Sequence, residues 1–166
     1  MEFFGKNRTM LSFYGIDKCL VDANGRIRLT QRVVDAFLRE GGADIVMHGL
    51  PEGCIALYPE SVWHRMRAPA LGNPEQLNSS FAVRSSLRRF GALTSSENIS
   101  RQGRITLPEL LREHAGLTAG AEAVVVGVEL GVEIWEAGRF DAELKSSGER
   151  EQARREREFD RELEDI

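Results

Sequence analysis

Residues 24–29, NGRIRL, return as QGRITL at residues 102–107 in a chain of only 166 residues. In both stretches a glycine follows an amide side chain and precedes a short apolar segment. This arrangement is typical of a tight turn, because glycine tolerates the positive φ that such turns require. Arg-Ile-x-Leu follows each glycine, an alternation that favours a short strand. The recurrence therefore predicts a duplicated unit that presents a similar surface twice.

The duplication extends beyond the turns when residues 78 positions apart are compared. Gly42 and Gly49 match Gly120 and Gly127, and the register holds without a gap for more than thirty residues. Each unit has the pattern of a strand, a glycine turn, a second strand, an amphipathic helix and a hairpin. The predicted first strands are residues 19–22 and 97–100, the helices 31–40 and 108–115, and the hairpin turns 50–53 and 130–131.

A unit of about 45 residues buries too little apolar surface to be stable by itself, so we expect the two units to share one sheet. The predicted fold is α+β, a pseudo-twofold mixed β-barrel built from two ββαββ repeats. Two linker helices are predicted at residues 59–69 and 73–90. The predicted boundaries are 11–58 for the first repeat, 59–92 for the linker helices, 93–140 for the second repeat and 141–166 for a charged tail.

The net charge of −4 argues against a uniformly basic DNA-binding protein. Eight acidic residues and five arginines lie between Glu149 and Ile166, which predicts a solvated helix or a disordered segment there. The rest of the chain is close to neutral and can carry local basic patches. Cys19 and Cys54 lack metal-binding or redox spacing, and no apolar run is long enough for a membrane span. These features favour a cytoplasmic protein that is not bound to a membrane.

The sequence offers no catalytic motif. His48, His64 and His114 have no metal-ligand spacing with one another or with a cysteine, and no nucleophile motif is present. The small-residue segments at Gly41 and Ala119 precede predicted strands, whereas a phosphate-binding glycine loop opens a helix. We therefore expect a protein that is not an enzyme and has neither a cofactor nor a metal site.

Four motifs resemble those of the MraZ family, the duplicated bacterial relatives of AbrB-type DNA-binding proteins. Phe-Tyr-Gly at residues 13–15 precedes Asp-Ala-Asn-Gly-Arg-Ile-Arg-Leu at residues 22–29. The second copy has Ser-Arg-Gln-Gly-Arg-Ile-Thr-Leu-Pro at residues 100–108, followed by LREHAGL at residues 111–117. The resemblance covers roughly residues 11–140. Asn24 stands where the family pattern has Lys, Thr30 where it has Pro, and Ser100 where it has Asp.

The resemblance implies a transcriptional regulator of the division and cell-wall gene cluster that is associated with the nucleoid. It also implies that the two repeats exchange hairpins within one chain. Further, it implies a ring-shaped homo-oligomer that binds double-stranded DNA carrying repeated short sites. A rival interpretation is a ring-forming scaffold that has lost DNA readout, which Ser100, Asn24 and the net negative charge would explain.

The turns suit DNA binding because a carboxylate four residues before an arginine can orient its guanidinium group. An oriented arginine loses less side-chain entropy on binding, and its planar fork fits phosphate or guanine. The alternative is that Asp22 and Arg26 only stabilise a hairpin. Asn98 is a candidate to replace part of the charge that Ser100 lacks. The predicted DNA-binding residues are Asp22, Asn24, Gly25, Arg26, Arg28, Ser100, Arg101, Gly103 and Arg104.

The sequence leaves the roles of four arginines undecided. Arg28 is predicted either to join the basic surface or simply to face solvent. Arg84, Arg88 and Arg89 form a cationic patch on a predicted helix, where they either interact with the C-terminal end of that helix and nearby acids or contact DNA.

Overall fold

The computed structural model describes residues 13–77 and 80–165. The chain divides into two compact units, a body that ends at Glu136 and a tail that begins at Ala137. The predicted α+β class is confirmed. The described strands are β1 Ile16–Leu20, β2 Arg26–Arg28, β3 Asp44–Leu50, β4 Cys54–Pro59, β5 Thr94–Asn98, β6 Arg104–Thr106, β7 Glu122–Gly127 and β8 Val132–Glu136. The helices are α1 Gln31–Glu40, α2 Glu60–Leu71, α3 Phe81–Ala92, α4 Glu109–Ala115 and α5 Ala137–Glu164.

Both repeats contribute strands to one six-stranded sheet in the order β1-β7-β8-β4-β3-β5, in which the hairpins β7–β8 and β4–β3 lie side by side and a first strand from the other repeat flanks each of them. The first strand of each repeat pairs with the third strand of the other, so that Asp17 lies opposite Val125 and Ser95 lies opposite Met47. The remaining strands, β2 and β6, form a separate two-stranded ribbon. The register is symmetric, because each of these cross-repeat pairs has its counterpart 78 positions along the chain.

Every pairing between these described strands is antiparallel, so the prediction of a mixed sheet is wrong. The physical reason is that short hairpins join β3 to β4 and β7 to β8, while a pseudo-twofold axis pairs β4 with β8 and β2 with β6 in opposite directions. Closure of the strands into a barrel stays a prediction.

The first strands begin three residues earlier than expected, at Ile16 and Thr94. Pairing with β7 and β3 sets their limits, and Asp22 and Ser100 are left to the turns. Helix α1 has the predicted bounds, since Val33, Val34 and Phe37 form a buried face. Helix α4 begins after Pro108 and ends at Gly116, whose φ of +68° is a left-handed conformation that glycine favours.

The core lies between the sheet, the ribbon and these two helices. Its largest buried side chains come from both repeats, and burying each one contributes about 1.5–3 kcal/mol relative to leaving it exposed. They include Ile27, Phe37, Met47, Leu57, Ile105, Leu111 and Ile134. Cys54 is buried, Cys19 is half-buried, and neither forms a disulfide. Burial, with a smaller contribution from Asp17, raises the pKa of Cys19 to about 11.

The segment between the repeats differs from the predicted pair of helices. Helix α2 continues past the predicted end to Leu71, and the second helix begins only at Phe81, because the Oγ of Ser80 accepts the N–H of Val83 as an N-cap. A short 3-10 turn, Pro74–Gln76, precedes it. Trp63 of α2 stacks on Phe90 of α3 with ring centroids 5.8 Å apart.

These aromatic rings cover His48 on β3, which lies 4.2 Å from Phe90 between ring centroids. Burial lowers the pKa of His48, a backbone hydrogen bond with Leu93 partly opposes this, and the nearby Arg67 and His114 lower the pKa further. These ring contacts hold the two linker helices against β3.

The tail is the single helix α5, in which no described residue is buried. Ion pairs link successive turns, including Arg155 Nε to Glu151 Oε1 at 3.2 Å. The sequence predicted either a solvated helix or a disordered segment here, and the structure shows the helix. Among the described helices, none combines the length and the hydropathy that crossing a membrane would need.

Candidate nucleic-acid interface

The β2–β6 ribbon presents arginines on one face. Ile27 and Ile105 lie opposite each other and point into the core, where each is 2% exposed. Side chains alternate along a strand, so the flanking positions face outward. Arg26 lies opposite Thr106 and Arg28 lies opposite Arg104. The outward face of the ribbon therefore carries Arg26, Arg28, Arg104 and Thr106.

In the first turn the carboxylate of Asp22 organises Arg26. Its Oδ1 accepts the backbone N–H groups of Asn24 and Arg26, each at 2.9 Å. Its Oδ2 accepts the side-chain Nε of Arg26 at 3.1 Å. The backbone N–H of Arg26 is the main cause that lowers the pKa of Asp22, and the Arg26 guanidinium adds to it. The carboxylate is therefore ionised at neutral pH and can hold the guanidinium in one orientation.

In the second turn Ser100 retains only part of this arrangement. Its Oγ accepts the backbone N–H of Arg104 at 3.0 Å, in the same way as Asp22 Oδ1. A hydroxyl has no second oxygen and no charge for the guanidinium of Arg104. Asn98 does not replace it, because Asn98 Nδ2 donates instead to Asp44 Oδ1 at 2.9 Å across the β3–β5 pair. The suggestion that Asn98 partly substitutes for the missing acid is wrong for this reason.

Both turn glycines are required by the backbone. Gly25 has a φ of +74° and Gly103 a φ of +81°. The carbonyl of each accepts an N–H from the other repeat, with Leu29 N to Gly103 O at 2.8 Å and Leu107 N to Gly25 O at 2.9 Å. A Cβ at Gly103 would lie only 2.7 Å from the carbonyl oxygen of Leu29. The two turns are thereby fixed against each other.

The remaining predicted residues lie on the same surface. Arg28 is exposed, and its Nε donates to the carbonyl oxygen of Gln102 at 3.1 Å, so it reaches from the first repeat to the second turn. Asn24 and Arg101 are exposed at the tips of the turns. All nine predicted residues thus lie on the ribbon and its two turns, whereas Arg84, Arg88 and Arg89 lie on helix α3, exposed.

Thr30, which stands where the family pattern has Pro, forms a hydrogen bond of its own. Its Oγ1 donates to Asp17 Oδ2 at 2.9 Å, and Arg32 Nη2 pairs with the same oxygen at 2.7 Å. The end of β2 is therefore tied to β1 through a side chain.

Arg112 belongs to the LREHAGL motif but is not among the predicted site residues, yet its side chain lies beside the first turn. A Cβ at Gly25 would be 2.6 Å from both Cζ and Nε of Arg112. Arg112 Nε donates to the carbonyl oxygen of Leu107 at 3.0 Å. The repeat register offered a signal, because Arg112 corresponds to Val34, which is the side chain beside Gly103 in the second turn.

Glu52, Cys54 and Glu133 bring one potential ligand atom each to within 4.8 Å of the others. One of the Glu133 oxygens already accepts Trp135 Nε1 at 3.0 Å. The sequence did not predict this cluster, since it joins a hairpin of one repeat to a strand of the other. Exposed acidic groups are common without a metal ion, so this cluster alone does not indicate a metal site.

Comparison with known proteins agrees with the motifs. The sequence profile of the family described as "MraZ protein, putative antitoxin-like" matches residues 92–162. A protein of Dehalococcoides mccartyi called "Transcriptional regulator MraZ" is 32% identical over 141 residues, which cover 82% of this chain and 91% of that protein. Proteins with the same name from Frankia alni and Lactobacillus delbrueckii subsp. bulgaricus are 34% and 35% identical over 137 and 123 residues. These matches cover 82% and 73% of this chain, and 90% and 78% of the two proteins.

Proposed function

Because this chain belongs to the MraZ family, we propose that it is a transcriptional regulator that binds double-stranded DNA through the β2–β6 ribbon. The observation that carries the proposal is the set of three arginines on the exposed face of the ribbon. Asp22 neutralises Arg26, whereas Arg28 and Arg104 have no carboxylate partner among the described residues, so an anionic partner would stabilise this face.

A two-stranded ribbon fits the major groove of B-DNA, which is about 12 Å wide. Arg26 is the proposed base-reading residue, because Asp22 holds its guanidinium at 3.1 Å from Oδ2 and leaves the rest of the fork available. Arg28, Arg101 and Arg104 have no carboxylate partner among the described residues, and they are the proposed phosphate-binding residues. Asn24 and the two glycines shape the approach of the turns to the DNA.

The proposal includes a ring-shaped homo-oligomer that acts on the protein's own division and cell-wall gene cluster in the cytoplasm, at the nucleoid. Large apolar side chains on the body are exposed, notably Phe81 at 77%, Tyr14 at 67% and Leu20 at 66%. Contact with further copies of the chain would cover such side chains. Several copies on DNA with repeated sites would multiply a weak contact. Light scattering is expected to report several subunits, and a monomer at micromolar concentration would contradict this part of the proposal.

The decisive experiment is a gel shift on the DNA upstream of the encoding gene, at several salt concentrations and with unrelated DNA as competitor. Wild-type protein is expected to bind the upstream DNA preferentially. Arg26→Ala should lose about 1–3 kcal/mol per engaged site, as expected for a base-reading arginine. Arg104→Ala should lose less and should mainly reduce the salt dependence. Equal affinity of wild-type protein for both DNAs would contradict sequence-directed binding.

A scaffold without DNA readout is the second candidate function. It is favoured by Ser100, which makes the backbone hydrogen bond of the turn but cannot orient Arg104. If neither arginine substitution changes DNA binding at moderate salt while the protein remains oligomeric, the scaffold replaces the regulator.

A further inference from the structure

The first turn carries a cation that comes from the other repeat. Arg112 lies on α4, and its guanidinium is close enough to Gly25 that a Cβ there would be 2.6 Å from its Cζ. The Nε–H donates to the carbonyl oxygen of Leu107, the residue that in turn donates its N–H to Gly25. This hydrogen bond fixes the plane of the guanidinium against the turn.

The two Nη groups of Arg112 remain available to a ligand. Among the residues that the structure describes, the Arg112 side chain forms no salt bridge, and its one hydrogen bond is the one from Nε to the carbonyl oxygen of Leu107. These nitrogens are not enclosed, because within the described part of the chain no buried side-chain nitrogen lacks a partner. They are therefore donors that solvent can reach.

The charge balance of the first turn explains why a cation is useful there. Asp22 and Arg26 form an ion pair with Nε and Oδ2 3.1 Å apart, so together they carry no net charge. A neutral pair gives orientation but little attraction for phosphate. Arg112 supplies the net positive charge that the pair lacks.

The second turn has no neutral ion pair, and the residue that corresponds to Arg112 in that turn is apolar. Val34 occupies the place of Arg112, with its Cγ2 3.1 Å from a Cβ built at Gly103. This turn has a serine in place of the acid, and it carries Arg104 and Arg101 and is contacted by Arg28. Each turn thus reaches a net positive charge by a different set of residues.

We propose that Arg112 is a further DNA-binding residue, which donates from its two Nη groups to a backbone phosphate beside the first turn. This inference rests on the proposed DNA-binding function. It gives the first turn a division of roles, in which Arg26 contacts a base and Arg112 anchors the adjacent phosphate. Because the hydrogen bond to Leu107 fixes its orientation in advance, Arg112 loses little side-chain entropy on binding.

The test compares three variants of the full chain by titrating upstream DNA at several salt concentrations. Arg112→Gln removes the charge and keeps a side-chain amide that can donate to Leu107. Arg112→Lys keeps the charge, and Arg157→Gln on the tail helix changes the net charge by the same amount in the second compact unit of the chain. Arg112→Gln is expected to weaken binding several-fold and to reduce the salt slope by about 0.9 per engaged chain. Arg112→Lys should retain most of the wild-type affinity and salt slope, and Arg157→Gln should resemble the wild type.

A second measurement separates contact from support of the turn. DNA in which single phosphates are replaced by neutral methylphosphonates is expected to contain one position that weakens the wild type but not Arg112→Gln. If Arg112→Gln weakens binding and no such position exists, Arg112 only supports the turn and the inference is wrong. If Arg26→Ala weakens binding while Arg112→Gln equals Arg157→Gln, the inference fails and the proposed function stands. If wild-type protein does not bind DNA, both are wrong.

Discussion

Asp22 and Ser100 occupy corresponding positions and accept the same backbone N–H in the two turns. The carboxylate has a second oxygen, which accepts Arg26 Nε, and it carries a charge. The difference between the turns therefore lies in how firmly the arginine side chain is oriented, since the backbone hydrogen bond is common to both.

The pH dependence of stability isolates the charge of Asp22. Hydrogen bonds from Arg26 hold the pKa of this carboxyl below its usual range in the folded protein. Its contribution to stability is therefore complete above the pKa of the unfolded chain, about 3.9, and is lost as the pH falls through the lower pKa of the folded protein. The thermal midpoint of Asp22→Asn should lie below that of the wild type at pH 7, and the gap should close in acid.

Ser100→Ala is the matched control for this titration, because it removes the corresponding acceptor at a residue that carries no charge. Its effect on the thermal midpoint should not depend on pH relative to the wild type. A gap between the wild type and Asp22→Asn that stays constant from pH 7 to pH 2 would show that the charge of Asp22 contributes nothing.

At the scale of the elements, the sequence predicted the parts that local pattern determines. The buried face of α1, the positive φ of the two turn glycines and the β3–β4 and β7–β8 hairpins each follow from residues close together in the chain. The nine predicted site residues also lie on one surface, although their role in binding stays a prediction.

The pairing of strands from different repeats did not follow from the sequence. Thr94–Asn98 could be recognised as an extended segment, but its partner β3 lies across the pseudo-twofold axis, where no local signal points. For the same reason local pattern does not indicate that Asn98 hydrogen-bonds to Asp44, or that Arg112 lies beside Gly25.

The ribbon provides a test of the orienting role of the acid. Ser100→Asp should place a carboxylate where the Ser100 Oγ already accepts the N–H of Arg104, so the backbone need not move. Two effects then compete, since the oriented Arg104 favours specific binding and the added negative charge opposes phosphate binding. We expect tighter binding to the upstream DNA and weaker binding to unrelated DNA, measured by titration at fixed salt.

Ser100→Asn is the matched control for Ser100→Asp, because it has a similar shape and no charge. If Ser100→Asp weakens binding to both DNAs equally, and Arg26→Ala is no worse than Arg104→Ala, orientation by the acid is not what makes the first turn effective.

At the scale of the whole molecule, the body and the tail differ in how they are stabilised. The body has buried side chains contributed by both repeats, so neither repeat has a complete core without the other. The tail has no buried residue in its described part, and Phe159 and Leu163 are 61% and 54% exposed. Its side chains interact mainly through ion pairs between successive turns, each worth about 0.3–0.5 kcal/mol.

Removal of the tail after Ser147 is therefore expected to leave the body folded. The deletion removes the ion pairs of Arg154 and Arg155 and leaves the first turns of α5 in place. The thermal midpoint should change by no more than about 2 °C, since surface changes of this kind contribute little to the free energy of unfolding. Gly148→Pro in the full chain is the control, because it interrupts the helix without removing charge and should lower the helical content seen by circular dichroism. If either variant lowers the midpoint by many degrees, the tail helix must bind the body or a neighbouring copy of the chain.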